Sequence, residues 1–345
     1  MSEENKRSIR ISVRNLVEFV LRSGDIDNRR SGNAQKDAML AGGRIHRKIQ
    51  KRMGSGYRAE VPLKHEVTDD EQEIVLSVEG RADGIFTENG ITVIDEIKGM
   101  YTDVARLEAP IEVHLAQAMC YGYFYCCDKD LDGIRLQLTY CNLETEEIRR
   151  FQEIQTMDEL SEWFAGLIHE YVKWARYLYH NGLRRDESIK ALEFPYPYRA
   201  GQRDLAVAVY RTLERGRRLF VQAPTGIGKT LSTVFPALKA IGEGHGQKLF
   251  YLTAKTITRT VAEEALAILR ERGLYFRSVT ITAKEKLCIL EKPVCNPEMC
   301  PRAKGHFDRV NDAVYEILHQ EFGITRSVIL EYAEKFQVCP FEFCL

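Results

Sequence analysis

The sequence predicts an α/β protein with two architectures in series: a mixed sheet with flanking helices, then a parallel-sheet domain. Three observations carry that expectation. Residues 1–156 interleave helical stretches with strands, two of them joined by the tight turn Glu88-Asn89-Gly90. From about residue 190 the pattern becomes strand, helix, strand, helix, the order of a parallel sheet. Within that second series a glycine-rich loop, Ala223-Pro224-Thr225-Gly226-Ile227-Gly228-Lys229-Thr230, follows an apolar run and opens a helix.

In chain order, Ser12–Leu21 and Ala34–Met53 read as helices, and Glu60–Lys64, Ile74–Phe86 and Ile91–Lys98 as strands. Glu112–Tyr125 is helical and Gly133–Asn142 extended. Met157–His180 forms a long amphipathic helix with Trp163, Phe164, Ile168, Tyr171 and Trp174 on its apolar side. The charged, Gly-containing stretch Asn181–Glu187 is the best boundary. Beyond it, strands are expected at Leu219–Gln222, Lys248–Thr253 and Ser278–Thr282, and helices at Thr230–Ile241 and Ile257–Arg272.

A chain of 345 residues with 44% apolar and 29% charged residues fits two or three ordinary domains. The formal net charge of −1 leaves no global basic footprint, so any nucleic-acid affinity must come from local patches. The start, Met1–Arg10, is too polar for a secretion signal, and no apolar run is long enough to cross a membrane. A cytoplasmic protein is the default expectation. Of nine cysteines, Cys120, Cys126, Cys127 and Cys141 lie in apolar patterns and read as buried thiols. The other five crowd the last 58 residues, and that clustering asks for a metal.

The loop at 223–230 has the parts of a phosphate cradle. Arg218–Gln222 supplies the strand, Gly226 and Gly228 permit the turn, Lys229 can neutralise β- and γ-phosphates, and Thr230 can hold Mg2+. Ala223 stands where the usual pattern has its first Gly. With Pro-Thr-Gly following, this variant resembles superfamily 2 helicases. Upstream, Phe194-Pro-Tyr-Pro-Tyr198 precedes Gln202 and resembles the adenine-reading Q motif of those enzymes. The simpler alternative is that Gln202 caps the helix after it. Downstream, Tyr251–Arg259 resembles motif Ia, which implies DNA-phosphate contacts from Lys255, Thr256 and Arg259. The whole set implies a RecA-like motor domain over 190–283.

In the first half, Gly80-Arg-Ala-Asp83 closes one strand and Ile94-Asp-Glu96-Ile-Lys98 forms the next. A hairpin brings Asp83 beside Glu96, and Lys98 shares a strand face with Glu96. Two carboxylates suit Mg2+ or Mn2+, and a nearby Lys can orient water and stabilise charge on phosphate. Asp95 competes with Glu96 as ligand, although the ExK spacing favours Glu96. This arrangement resembles PD-(D/E)xK nucleases. Three further residues fit their RecB-like branch: His46 in Gly42-Gly-Arg-Ile-His46, and Gln117 with Tyr121 one turn apart on a helix. The resemblance implies His46 as a further metal ligand and Gln117 and Tyr121 as active-site residues, in a domain spanning 1–185. Without it, the same residues make a plain hairpin with surface charges.

Cys288, Cys295, Cys300 and Cys339 are spaced x6, x4 and x38, with Pro after Cys300 and Cys339. Four thiolates suit zinc or an iron–sulfur cluster, and spacing does not separate the two. Their position after motif Ia, and the Cys339-Pro-Phe341 turn, resemble XPD/DinG-like helicases. That resemblance implies a 4Fe-4S insertion over 284–345, with Cys344 as a spare thiol able to swap with Cys339. No Walker B pair follows, and Glu263-Glu264 falls within a helix. The expectation is therefore the N-terminal portion of a longer protein, an ATP-dependent helicase carrying a metal-dependent nuclease. It would act on single-stranded or junction DNA in repair or defence. The competing expectation is a non-catalytic nucleotide- and DNA-binding module whose loop and cysteines are structural.

Overall fold

The computed structural model describes residues 7–345 except 31–33, 70, 72–73, 225 and 254–255. Only the backbone is described for Arg7, Arg30, 34–40 and 256–258. The protein is mixed α/β and divides into two compact units, residues 1–177 with 294–308, and residues 178–293 with 309–345.

The first unit is built on six strands. These are β1 (Arg7–Ser12), β2 (Arg58–Thr68), β3 (Ile74–Glu88), β4 (Ile91–Met100), β5 (Gly133–Asn142) and β6 (Ile148–Thr156). Their order is β1-β3-β4-β5-β6, with β2 paired to β3 off that path. β1 and β6 had no clear sequence signal, because their apolar residues are interrupted by charge. The turn between β3 and β4 holds Asn89 and Gly90 at φ of 53° and 79°, the left-handed pair that a two-residue hairpin requires.

Strand β3 is the organising element. Along one edge it pairs antiparallel with β2 over 75–85. Along the other it pairs first with β1, parallel over 74–79, and then with β4, antiparallel over 84–88. Between those two partners, residues 80–83 have no ladder neighbour on that edge. The sheet splays open there, and Asp83 is the last residue of the gap.

Helices fix side chains around that opening. In α2 (Ala34–Arg52), Ile45 and Ile49 are one turn apart and pack on Ile97 and Cys141 of the sheet. That anchors the face beside His46. The crossover from β4 to its parallel neighbour β5 runs through α3 (Glu112–Lys129). Gly122 lets α3 approach closely, since a Cβ there would sit 2.9 Å from Leu136. Helix α1 (Val13–Val20) starts at Ser12, whose hydroxyl accepts the Asn15 amide. Of the four thiols expected to be buried, Cys120, Cys126 and Cys141 are; Cys127 is exposed, on the outer side of α3.

Two boundary expectations are corrected. Helix α4 begins at Met157 and continues unbroken to Ala191, through the stretch 181–187. Gly182 is tolerated there because a single helical glycine costs only about 1 kcal/mol. The cysteine-rich tail is not one separate insertion either, because residues 294–308 belong to the first unit. The amides of Ile26 and Asn28 donate to the carbonyls of Ala303 and Cys295, and Phe307 donates to Gly24. Asp25 and Asp308 accept the amides of Gly305 and Gly24.

The second unit has a helical core. Helix α5 spans Gln202–Glu214, and helices α6 (Lys229–Gly242) and α7 (Thr256–Glu271) form near their expected limits. Val234, Leu238, Ile241, Leu269 and Leu274 pack with Ile189 and Leu192. Lys239 Nζ donates to the carbonyls of Ile189, Lys190 and Leu192, satisfying the otherwise open end of α4.

The expected parallel sheet is reduced to one short pair, β7 (Ser278–Val279) with β8 (Gly323–Ile324). Runs 219–222 and 248–253 have no regular secondary structure and make no ladder among the described residues, and Phe220 and Leu252 are 94% and 89% exposed. An apolar run becomes a strand only when neighbours complete its hydrogen bonds. Helices α8 (Lys284–Leu287), α9 (His306–Gln320), α10 (Arg326–Phe336) and α11 (Pro340–Phe343) complete the chain. No described helix is long and apolar enough to cross a membrane.

Candidate metal centre and phosphate loop

At the splayed middle of β3 the side chains of four elements meet. Asp83 Oδ2 accepts the Ile97 amide at 2.7 Å, so the carboxylate replaces the missing ladder carbonyl. Its Oδ1 lies 3.2 Å from His46 Nδ1 on α2. Across β4, Lys98 Nζ is 2.7 Å from Glu96 Oε1 and donates to Gln117 Oε1 on α3 at 2.7 Å. Tyr121, one turn after Gln117, lies against Gly80, where a Cβ would sit 2.6 Å from the phenol oxygen. Gly80 is therefore required by close approach. The structure brings His46, Asp83, Glu96, Lys98, Gln117 and Tyr121 to one place, as their order in the sequence suggested.

The cluster gathers buried negative charge around Glu96 and Asp83. Glu96 is 4% exposed, and its Oε2 has no hydrogen-bond partner among the described residues. Burial, then the charge of Asp83, pushes its carboxyl up to about 7 against the pull of Lys98 and His46. For His46, burial opposes the charged ring, but the bond to Asp83 and the fields of Asp83 and Glu96 outweigh it, and its pKa is raised. Burial, and then the charge of Glu96, raise that of Tyr121. A divalent ion would relieve both the carboxylate repulsion and the orphaned oxygen, so these residues fit Mg2+ or Mn2+.

Asp95 is settled by its surroundings. Its side chain points to the other face of β4, fully buried, and accepts from Tyr57, Gln137 and Thr139 at 2.9, 2.9 and 2.6 Å. With its lone pairs so engaged, Asp95 is a structural group beneath the cluster.

Sequence reasoning missed Glu60 and Gln50. Ligand atoms of His46, Glu60 and Asp83 lie within 4.8 Å of one another. Gln50, one turn beyond His46, donates to Glu60 Oε1 at 3.1 Å and to the Asp83 carbonyl at 3.0 Å. Gln50 was legible as sharing the His46 face. Glu60 was not, because its place across from Asp83 depends on the β2–β3 register. Glu60 also holds a φ of 54°, a left-handed backbone unusual for Glu within a strand.

The second unit positions the phosphate loop. Helix α6 starts at Lys229 behind Gly228, whose φ is 79°. A Cβ on Gly228 would lie 2.5 Å from Gln202 Nε2, so both backbone and packing demand glycine there. Lys229 Nζ lies across the loop and donates to the carbonyls of Ala223 and Pro224 at 3.0 and 2.8 Å. Arg199 donates to the Gly226 carbonyl. Ile227 and Thr230 lie beside these residues in the chain, and Thr225 falls outside the described residues.

Gln202 is 5% exposed. Its Oε1 accepts the Arg199 amide at the start of α5, while its amide nitrogen touches the loop. Phe194 and Tyr198 stack at 4.2 Å beside it in sequence. Of the residues expected to grip DNA, Lys255 and the side chain of Thr256 fall outside the description. Arg259 is half-buried and paired with Glu263 at 3.7 Å, so it is not a free surface cation.

The cysteines divide between the units. Cys295 and Cys300 belong to the first, and Cys288 and Cys339 to the second. Cys300 is buried, and the other three are half-buried. Cys344 is buried with its thiol donating to the Phe341 carbonyl.

If the loop binds nucleotide, Lys229→Ala should lower affinity for ATP at least tenfold, because the ammonium lying across the loop is lost. Fluorescent ATP-analogue titration checks this; equal affinity of both proteins would remove the loop from nucleotide binding.

Residues 203–299 match the family model described as DEAD/DEAH box helicase. Over 47 residues the chain is 45% identical to the probable ATP-dependent helicase MJ0942 of Methanocaldococcus jannaschii. That match covers 13% of this chain and spans 7% of the relative's length. The solved structure of SSO0001 aligns at 20% identity over 49% of this chain and 75% of that one, with a TM-score of 0.32, too slight a likeness to carry an argument. The stretch 203–299 is thus similar to a DEAD/DEAH box helicase domain, and these matches support the helicase superfamily for this part of the chain.

Proposed function

We propose that this chain combines a divalent-metal-dependent DNA nuclease of the RecB-like type with part of an ATP-dependent helicase motor. The observation that carries the nuclease reading is the convergence of His46, Asp83, Glu96, Lys98 and Gln117 from four elements on one splayed sheet edge. A plain hairpin with surface charges would not bury Glu96 with an orphaned oxygen.

Mg2+ or Mn2+ held by His46, Asp83 and Glu96 would polarise phosphate and make bound water a nucleophile near neutral pH. Lys98, fixed between Glu96 and Gln117, is placed to hold that water or the developing phosphate charge. Gln117 acts on Lys98, so it is a positioning residue. Tyr121 walls the site beside β3.

The motor reading rests on the helicase match and on the Lys229 loop with Gln202 packed against it. Single-stranded or junction DNA is the proposed substrate, with 5′-to-3′ translocation following from the XPD/DinG-like resemblance. The order of Cys288, Cys295, Cys300 and Cys339 supports a 4Fe-4S cluster as a further part of this reading. Their division between units leaves its assembly to iron and sulfide analysis.

The deciding experiment is incubation of the purified chain with end-labelled single-stranded DNA, with and without Mn2+. Cleavage that requires Mn2+ and stops on chelation is expected. No cleavage under either condition would leave the non-catalytic binding module as the better reading.

A further inference from the structure

We infer that Glu60 is a ligand of the divalent cation, in addition to His46, Asp83 and Glu96. The inference rests on the nuclease reading and deepens it. In the β2–β3 ladder Ala59 pairs with Gly84 and Val61 with Ala82, which puts Glu60 directly across from Asp83. In the β3–β4 ladder Gly84 pairs with Asp95, so the next position on β4, Glu96, flanks Asp83 from the other side. Three carboxylates therefore sit level on three adjacent strands, with Asp83 in the middle.

Their side chains are also arranged to meet an ion. A nitrogen of His46 and one oxygen each of Glu60 and Asp83 fall within 4.8 Å of one another, a spacing one cation can span. Gln50 ties Glu60 to the Asp83 backbone by donating to both, as groups outside a metal shell commonly do. An independent observation points the same way. The Glu96 carboxylate beside them is buried, and its Oε2 is left without a partner among the described residues. A buried carboxylate oxygen without a donor calls for a cation.

Glu60 is also suited to a separate duty. Its side chain is 47% exposed and near Arg81, at 3.6 Å, so it can reach the ion from the solvent side. Glu96 is committed on one oxygen to Lys98. Glu60 would thus complete the shell on the open side, where substrate phosphate must enter.

The test is Mn2+ binding to the full chain, read from the paramagnetic resonance signal of free Mn2+, for wild type, Glu60→Gln, Asp83→Asn and Glu66→Gln. Glu66 is an exposed control on the same strand. Far-UV circular dichroism should match throughout. The expected result is a dissociation constant raised at least about tenfold by Glu60→Gln and unchanged by Glu66→Gln. If Glu60→Gln binds as tightly as wild type while Asp83→Asn does not bind, Glu60 is no ligand and the nuclease reading stands. If wild type shows no binding that Asp83→Asn removes, both readings fall.

Discussion

Asp83→Asn should reduce Mn2+-dependent DNA cleavage by at least about 100-fold, or roughly 2.7 kcal/mol of transition-state stabilisation. The substitution keeps the size and the acceptor oxygen that the Ile97 amide uses, so the splayed strand should hold its shape. It removes the central negative charge, the one flanked by His46 on one oxygen and closest to Glu96. Lys98→Ala should cause a loss of similar size without abolishing cation binding. The lysine touches Glu96 and Gln117 but is itself no ligand. Gln117→Ala should cost less than Lys98→Ala, because it only loosens the ammonium. Single-turnover cleavage at saturating Mn2+ measures all three. Full activity in Asp83→Asn would remove this site from the chemistry.

Much of this site was legible because its parts are local. Glu96 and Lys98 share a face by the period of a strand, and Gln117 and Tyr121 by the period of a helix. The hairpin signal Asn89-Gly90 then places Asp83 beside Glu96 without further knowledge. What was hidden depends on long-range pairing. Glu60 is recognisable only once β2 is registered on β3. The role of Asp95 required Tyr57, Gln137 and Thr139 to be seen around it.

The second unit shows the converse. Helices α6 and α7 formed where periodicity put them, since a helix completes its own backbone bonds. The apolar runs around Phe220 and Leu252 did not become strands, since a strand borrows its partners from elsewhere in the chain. Helix α4 ran through a stretch chosen as a linker because charge and one glycine mark a boundary only weakly.

Glu96→Gln should make the metal-free protein more stable at pH 8 while destroying cleavage. The sign follows from burial. A carboxyl raised from 4.5 to about 7 leaves the unfolded chain ionised first as pH rises. Between those values folding stability falls, by up to about 3 kcal/mol, and above about 7 the penalty is complete. Below about 4.5 both states are protonated and there is no penalty. A neutral amide escapes the penalty at every pH, although its contact with Lys98 weakens, so a net gain of about 2 kcal/mol at pH 8 is expected. The gain should shrink toward zero near pH 4.5. Intrinsic fluorescence reads this cleanly, because the two tryptophans, Trp163 and Trp174, both lie in the first unit. Saturating Mn2+ should reverse the order, stabilising wild type by mass action and the variant far less. Equal stability of the two proteins at pH 8 without metal would mean that Glu96 is not a strained ligand held ready for a cation, and the electrostatic argument for the site would fail with it.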